Sequence, residues 1–476
     1  GELVCDPGGG GAGGSGGGSG GSGAGGAGGG GGGAGGGGGA GNGGGSGAAG
    51  TGGGAGAGSA GAGGAAGTGG SAGAGGAGGQ GGGAGSGFYA SQIATGGGHS
   101  CAIVEQGQVR CWGDNLSGAL LGDGSGDDQR KPVTVRQSAG GPPLAGVQAL
   151  SLGNQHSCAL LSNGEVLCWG VNEYGQLGDG TGNLRPYPTP VVLSPNGPPL
   201  TGVLAVQAGG FHTCALVAGG QVRCWGRNND GQLGDGTTTN RLTPVPLLSS
   251  PGGPPLEGAA ALSGGNLFGC ALVSGGELRC WGANPFGQIG DGTTIDRSTP
   301  VPVLQSPGGP PLTGAQAVSS GSAFSCALLG GGEVHCWGYN NHGQLGDGTQ
   351  TTRPTPVPVL QSPGGPPLTG ALAIDVGATF SCAPVAGGQA RCWGRNNFGQ
   401  LGEGTLVANR LSPVPVLQSA GGPAFEGFEA MAAGSQHICA LANGGQAWCW
   451  GLNIDGQVGD GTSITTRLLP VPVLAP

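Results

Sequence analysis

The stretch Gly153–Thr181, GNQHSCALLSNGEVLCWGVNEYGQLGDGT, decides the fold, because close copies of it occur seven times along the 476 residues. Its simplest markers are Cys158, Cys168 and Trp169. The same trio recurs as Cys101, Cys111 and Trp112, as Cys214, Cys224 and Trp225, and as Cys270, Cys280 and Trp281. It returns three times more, as Cys326, Cys336 and Trp337, as Cys382, Cys392 and Trp393, and as Cys439, Cys449 and Trp450. Successive first cysteines are 57, 56, 56, 56, 56 and 57 residues apart. A period this strict marks a repeat architecture, in which each unit buries its apolar face against its neighbours.

Within this copy the pattern is that of short strands separated by turns. Ala149–Leu152 reads as a first strand ending at Gly153. His156–Leu161 and Glu165–Trp169 flank a Ser-Asn-Gly turn and read as a hairpin. Pairing about Asn163 sets Cys158 directly opposite Cys168, each five residues away. Directly opposed β-carbons lie about 4.5–5.5 Å apart, and the closer pairs reach disulfide distance after a small adjustment. The spacing therefore predicts seven disulfides, one per repeat. A glycine-rich winding loop follows, then a Pro/Val-rich segment, Thr189–Leu193, repeated as Pro470–Leu474. Prolines at alternate positions cannot donate ladder hydrogen bonds, which makes this an outer edge strand. Four strands per unit, seven units and no helical periodicity describe an all-β chain: a seven-bladed β-propeller of four-stranded antiparallel blades.

The string C-A-L-x-x-x-G-x-V-x-C-W-G-x-N-x-x-G-Q-L-G-D-G-T resembles the repeat of the regulator of chromosome condensation family, whose members form seven-bladed propellers. The resemblance covers Phe88 to Pro476. Copy one departs at Gly118-Ala119-Leu120-Leu121-Gly122, which lacks the Gln and gains a residue, and copy six carries Glu403 for Asp and Pro384 in its Cys-Ala-Leu strand. The cysteine pairs set it apart from the nuclear members and are similar to secreted bacterial relatives.

Residues 1–87 are different. From residue 8 on they are almost wholly Gly, Ala, Ser and Thr. With no large apolar side chain to bury, such a tract cannot offset its ordering entropy and is expected to be a disordered tether before a propeller at 88–476. Cys5, after Leu3-Val4, has a faint likeness to a lipoprotein processing site; the bland alternative is the tail of an upstream segment. The net charge of −9, with 15 Lys and Arg against 24 Asp and Glu, argues against a nucleic-acid partner. No run of 18 apolar residues is present to span a bilayer. Fourteen paired cysteines point to an oxidising compartment, extracellular, periplasmic or at a cell surface. A metal reading fails: His99, His156, His212 and His437 precede the first cysteine by two in four copies, but Phe268, Phe324 and Phe380 stand there in the other three and cannot ligate zinc. That slot reads as a packing position for any flat ring. No cofactor is expected.

Residues present in every copy read as structural. The Asn of the winding loop (Asn172 here) reads as bonded to its own loop, and the acidic residue of D-G-T as paired with an Arg shortly after it, from Asp123 and Arg130 to Asp460 and Arg467. No nucleophile, base and orienting group occur together once, so no enzyme is expected. Function should lie where the copies differ. The turn after the first strand and the x-N-x-x-G loop share one face, and nine Phe and four Tyr are all the chain holds. Five of them, Tyr174, Phe211, Phe286, Tyr339 and Phe398, fall in these loops, accompanied by Arg227, His342 and Arg395. Tyr, Phe and Arg are residues suited to dominating a protein interface, and loops on a stiff scaffold are where recognition concentrates. The expected function is a monomeric, non-enzymatic scaffold binding another protein through this face. The resemblance implies a sharper version, a secreted inhibitor of the β-lactamase-binding type, and a competing one, nucleotide exchange on a small GTPase, against which the acidity, the cysteine pairs and the Gly-rich tract argue. An adhesive or carbohydrate-binding surface module is the remaining alternative.

Overall fold

The computed structural model describes residues 87–115, 119–407 and 409–476. Most of the expected tether, with Cys5, lies outside them. The described residues form seven four-stranded antiparallel sheets, each built from strands consecutive in sequence. In the second blade these are Val147–Leu152, His156–Leu161, Val166–Gly170 and Arg185–Pro190, from first to fourth. First strands of adjacent blades pack on one another, and the Pro-rich fourth strand is outermost. The sequence places that strand at Thr189–Leu193, but it starts at Arg185 because Arg185 pairs with Gly170 and draws the ladder upstream.

The hairpin register is as the spacing predicts. Cys158 lies opposite Cys168, and the equivalent pair is opposed in every blade. All seven expected disulfides are formed. Cys101 is bonded to Cys111, Cys158 to Cys168, Cys214 to Cys224 and Cys270 to Cys280. Cys326 is bonded to Cys336, Cys382 to Cys392 and Cys439 to Cys449. The paired Cα atoms lie 4.0–4.1 Å apart, somewhat closer than the roughly 4.5 Å of an ordinary non-hydrogen-bonded opposed pair. Each bond closes a short loop of the unfolded chain and contributes roughly 2–3 kcal/mol.

What joins blade to blade is the Cys-Trp-Gly tryptophan. Each is fully buried or nearly so, and its indole N–H donates to a main-chain carbonyl of the preceding blade's winding loop, as from Trp225 to Gln176 at 3.0 Å. Copy one, which lacks the Gln, supplies the Leu120 carbonyl to Trp169 instead. Only the backbone carbonyl is used, so the side chain can change. Trp112 donates to Gln457 and closes the ring between blades 1 and 7.

Closure needs one more part. After each of the first six blades a Pro-Pro-Leu-type segment lies against the end of the outer strand and buries a large side chain, such as Leu144 or Leu200. Blade 7 is served from the other end of the described chain. Gly87 bridges Leu474, Tyr89 bridges Gln446, Phe88 accepts from the Ala447 N–H, and the Phe88 ring is buried edge-on to Trp112 at 5.7 Å.

Candidate functional site

The turn after each first strand passes so close to the next blade that a side chain has no room. A Cβ on Gly153 would lie 2.3 Å from the His156 ring and 2.5 Å from the Gly209 carbonyl. Only glycine permits this approach. Main-chain bonds run from blade to blade around the mouth, as from Asn154 N–H to Gly210 O at 3.2 Å. Each turn then feeds the winding loop of its own blade, with Arg227 N–H bonded to Phe211 O and Tyr339 N–H to Ala323 O. Turns and winding loops therefore form one face around the axis.

The winding loops are braced from within. Asn172 donates to Asp179 and to the Thr181 carbonyl and accepts from Leu177 N–H, and the other blades repeat the theme. Asp179 pairs with Arg185 at 2.6 Å. Burial pushes the Asp179 carboxyl up, but the bonds from Arg185 and Thr181 outweigh it and hold the group below its ordinary range. Six blades have this pair. Blade 1 corrects the sequence reading. Its register sets Gln129, not Arg130, opposite Gly113, and the Gln129 amide donates to Ser125. Arg130 falls one place on and packs against Gly456 of blade 7, where Leu242 packs on Gly175 two blades later.

The slot two residues before the first cysteine also departs from the sequence reading. The four histidines are buried and, in three cases, bonded across the blade seam: His99 Nε2 to Ser157 Oγ at 2.8 Å, His156 Nε2 to Thr213 Oγ1 at 2.9 Å, and His437 Nε2 to Ser100 Oγ at 2.9 Å. His212 faces Gly269, which has no hydroxyl, and neither of its ring nitrogens finds a partner. Burial lowers His99 and His212 to about 4 and His156 and His437 to about 3. These are neutral structural imidazoles, three of them bonded to a hydroxyl of the neighbouring blade. Among the described residues no three His, Cys, Asp or Glu side chains converge to hold a metal ion.

On the loop face the residues singled out in sequence assemble into two groups, each spanning a blade boundary. Tyr174 of blade 2 meets Phe211 of blade 3 edge-on at 5.9 Å, and the Arg227 guanidinium lies 5.6 Å from the first ring centre and 5.9 Å from the second. These are cation–π distances. Arg227 also reaches Asp230 at 3.4 Å. Phe286 of blade 4 packs on Tyr339 of blade 5 at 4.8 Å, and Tyr339 meets His342 at 6.2 Å. Burial and then the nearby Arg395 charge lower His342, against a bond with Asn409. Phe398 is half-buried and makes none of these ring contacts; its main-chain N–H is tied to Gln400. Phe286 is the most open of the set, at 40 % exposure.

Two further features of this face escape a search for aromatic residues. Exposed aliphatic side chains stand in the loops just before the fourth strands, namely Leu184, Ile295, Leu406, Val407 and Ile464. At the axis, a narrow funnel open to solvent runs inward between the first strands. Its signal in the sequence is the residue after the invariant glycine, which is Asn154, Asn266, Ser322 or Ser435 in four blades. Between blades 7 and 1 the face is acidic instead. There burial, then Asp114 and Asp128, raise Asp455 to about 6, against a bond from Gln457.

Comparison with known proteins agrees with this architecture. The model of the RCC1-like domain family matches residues 79–383, and models of the regulator of chromosome condensation (RCC1) repeat match 372–400, 428–457 and 388–441. The ultraviolet-B receptor UVR8 of Arabidopsis thaliana is 31% identical over 339 residues, covering 70% of this chain and 71% of that protein. The E3 ubiquitin-protein ligase HERC2 of Homo sapiens is 30% identical over 362 residues, which is 75% of this chain but 7% of that protein. Among solved structures, Prp20p of Saccharomyces cerevisiae superposes with a TM-score of 0.61 at 22% identity, over 77% of this chain and 86% of that one. Human WBSCR16 gives 0.60 at 24%, over 74% and 86%. All four are eukaryotic, so they lend no support to the bacterial setting that the cysteine pairs suggest.

Proposed function

This chain belongs to the RCC1-like domain family, and on that premise we propose that it is a secreted or surface-tethered, non-enzymatic propeller that captures another protein on its loop face. Residues 1–87 act as the tether and the propeller works as a monomer. One observation carries the reading: the loop aromatics of different blades are gathered into two groups, Tyr174/Phe211/Arg227 and Phe286/Tyr339/His342, with Arg395 beside the second. Packed aromatic and Arg side chains lose little freedom on binding and suit an interface centre. Seven disulfides support an oxidising, extracytoplasmic setting. An inhibitor, which blocks a partner by covering it, is the sharper form of the same reading.

The test pairs Tyr339→Ala/Phe286→Ala with Phe398→Ala, using the propeller as bait in cross-linking capture from its native source. The double variant should lose a saturable partner at least tenfold with an unchanged melting temperature. Phe398→Ala should lose much less, because its ring stands apart from both groups. Undiminished capture by the double variant would move the interface elsewhere.

A further inference from the structure

The axial funnel lies within the loop face, yet its chemistry differs from that of the aromatic groups around it. Its mouth carries the amides of Asn154 and Asn266 and the hydroxyls of Ser322 and Ser435, all half-buried. Asn154 Nδ2 donates to Asn266 Oδ1 at 2.9 Å across Gly210. That bond uses one end of each amide. Deeper in the wall sits Thr95, 3 % exposed, whose Oγ1 has no hydrogen-bond partner. A buried hydroxyl without a partner costs about 1–3 kcal/mol. Most such groups are satisfied, and one lining an open cavity is the kind of atom a ligand completes. Among the described residues no Asp, Glu, Lys, Arg or His lines the funnel, and glycine backbone makes up much of the rest. A charged group entering it would lose water and meet no opposite charge in return.

We infer that the funnel is a binding site for an uncharged, hydrogen-bonding side chain, an amide or a hydroxyl, carried on a protruding loop of the partner protein. The inference rests on the reading of this face as a protein-binding surface and names what the partner places at its centre. Continuity favours a protein side chain. Gly210 lines the funnel, and the next residue, Phe211, belongs to the Tyr174/Arg227 group. A loop seated on those rings has the axis within one residue's reach. The glycine mouth admits a narrow group only, while the amides and hydroxyls around it offer both donors and acceptors. The aromatic groups then hold the flanks of the loop, and the funnel reads the identity of its tip.

The experiment needs no partner. Acetamide, the side-chain head of Asn, is titrated into the disulfide-intact propeller labelled at its threonine methyl groups, with acetate, methylammonium and glucose in parallel. Acetamide should shift the Thr95 methyl signal and saturate with a dissociation constant in the millimolar range, as suits a ligand of so few atoms. Acetate and methylammonium should leave it at least tenfold less perturbed. Ser322→Trp, which fills the mouth from a half-exposed position, should abolish the shift at unchanged melting temperature. Ser322→Ala, followed through the same methyl group, should weaken it several-fold. Thr95→Val should raise the melting temperature, because it removes a hydroxyl that bonds to nothing. Equal response to acetate, no saturation, or a shift that survives Ser322→Trp would overturn the proposal. Tighter binding of glucose than of acetamide would overturn it in favour of a sugar site. Because acetamide is read out without the partner, the funnel can fail while the aromatic interface stands, and the reverse.

Discussion

Blades 7, 1, 2 and 3 place a histidine at the axial seam, and blades 4, 5 and 6 place a phenylalanine in the same slot. Both rings are fully buried, so packing alone does not distinguish them. The next blade does. His437, His99 and His156 each face a hydroxyl, from Ser100, Ser157 and Thr213. His212 breaks the rule by facing Gly269, and Phe380 sits where the next blade offers Ile438. Phe268 and Phe324 also have hydroxyls ahead of them, Ser325 and Ser381, which donate to a winding-loop carbonyl just as Ser100, Ser157 and Thr213 do. The comparison shows one steric slot with two chemistries. A seam needs a flat ring to close, and a ring nitrogen is tolerated at little cost only where the neighbour can answer it.

The largest effect that sharpens this contrast is acid sensitivity. Each buried histidine titrates near 6.5 when unfolded and at about 3 to 4 when folded. Below pH 6.5 the unfolded chain binds more protons, so stability is full above that pH and falls as pH drops toward 4. Each histidine contributes up to about 1.4 kcal/mol per pH unit over that window. Thermal unfolding followed between about pH 7.5 and 4.5 should show a steep loss, and His99→Phe/His156→Phe should roughly halve its slope. Asp455 runs the other way, since its raised value favours proton uptake by the folded form; Asp455→Asn should make the acid loss steeper. The Asp–Arg pairs belong to a lower window, because groups such as Asp179 and Asp235 are held below the usual carboxylate range. An unchanged slope in the double variant would mean that the histidines are not the acid-sensitive groups.

A smaller effect comes from moving a histidine to the wrong seam. Phe380→His should cost about 2–3 kcal/mol, since its nitrogens would be buried against Ile438, whereas Phe324→His can reach Ser381 and should cost about 1 kcal/mol. Denaturant midpoints of the two variants measure the difference, and equal losses would show that the hydroxyl does not matter. The smallest effect is a gain. His212→Phe removes two unpartnered buried nitrogens beside a narrow gap lined by Gly269 and Trp281, and should stabilise by about 1 kcal/mol. A loss of that size would mean that the larger ring does not fit.

Much of the scaffold was legible from the chain. Cys158 and Cys168 stand symmetrically about Asn163, and a tight hairpin can only oppose them. The same symmetry about the turn pairs Cys101 with Cys111 and Cys439 with Cys449 at the two ends of the ring. The loops bearing Tyr174, Phe286 and Tyr339 were likewise marked by their variation among repeats. Their grouping was not, because Tyr174 meets Phe211 through the packing of one blade on the next, 37 positions along the chain. Spacing alone misplaces Arg130, because an inserted residue shifts the strand register by one, which reverses the side a residue faces. Phe88 carries none of the Pro-Pro-Leu signature, so its role as the connector of blade 7 appeared only with the ring closed.

By itself, then, the sequence determined what repeats: the blade, its disulfide, its braced loop and the count of seven. These follow from short-range spacing, which acts within a hairpin or a single loop. Tertiary structure alone decided what happens at the seams and on the axis, where the partner of His99, the bareness of His212 and the funnel below Asn154 all depend on residues one blade away. A side chain's partner across such a boundary is set by how rigid sheets pack around a closed ring, and closure couples positions that no local spacing connects.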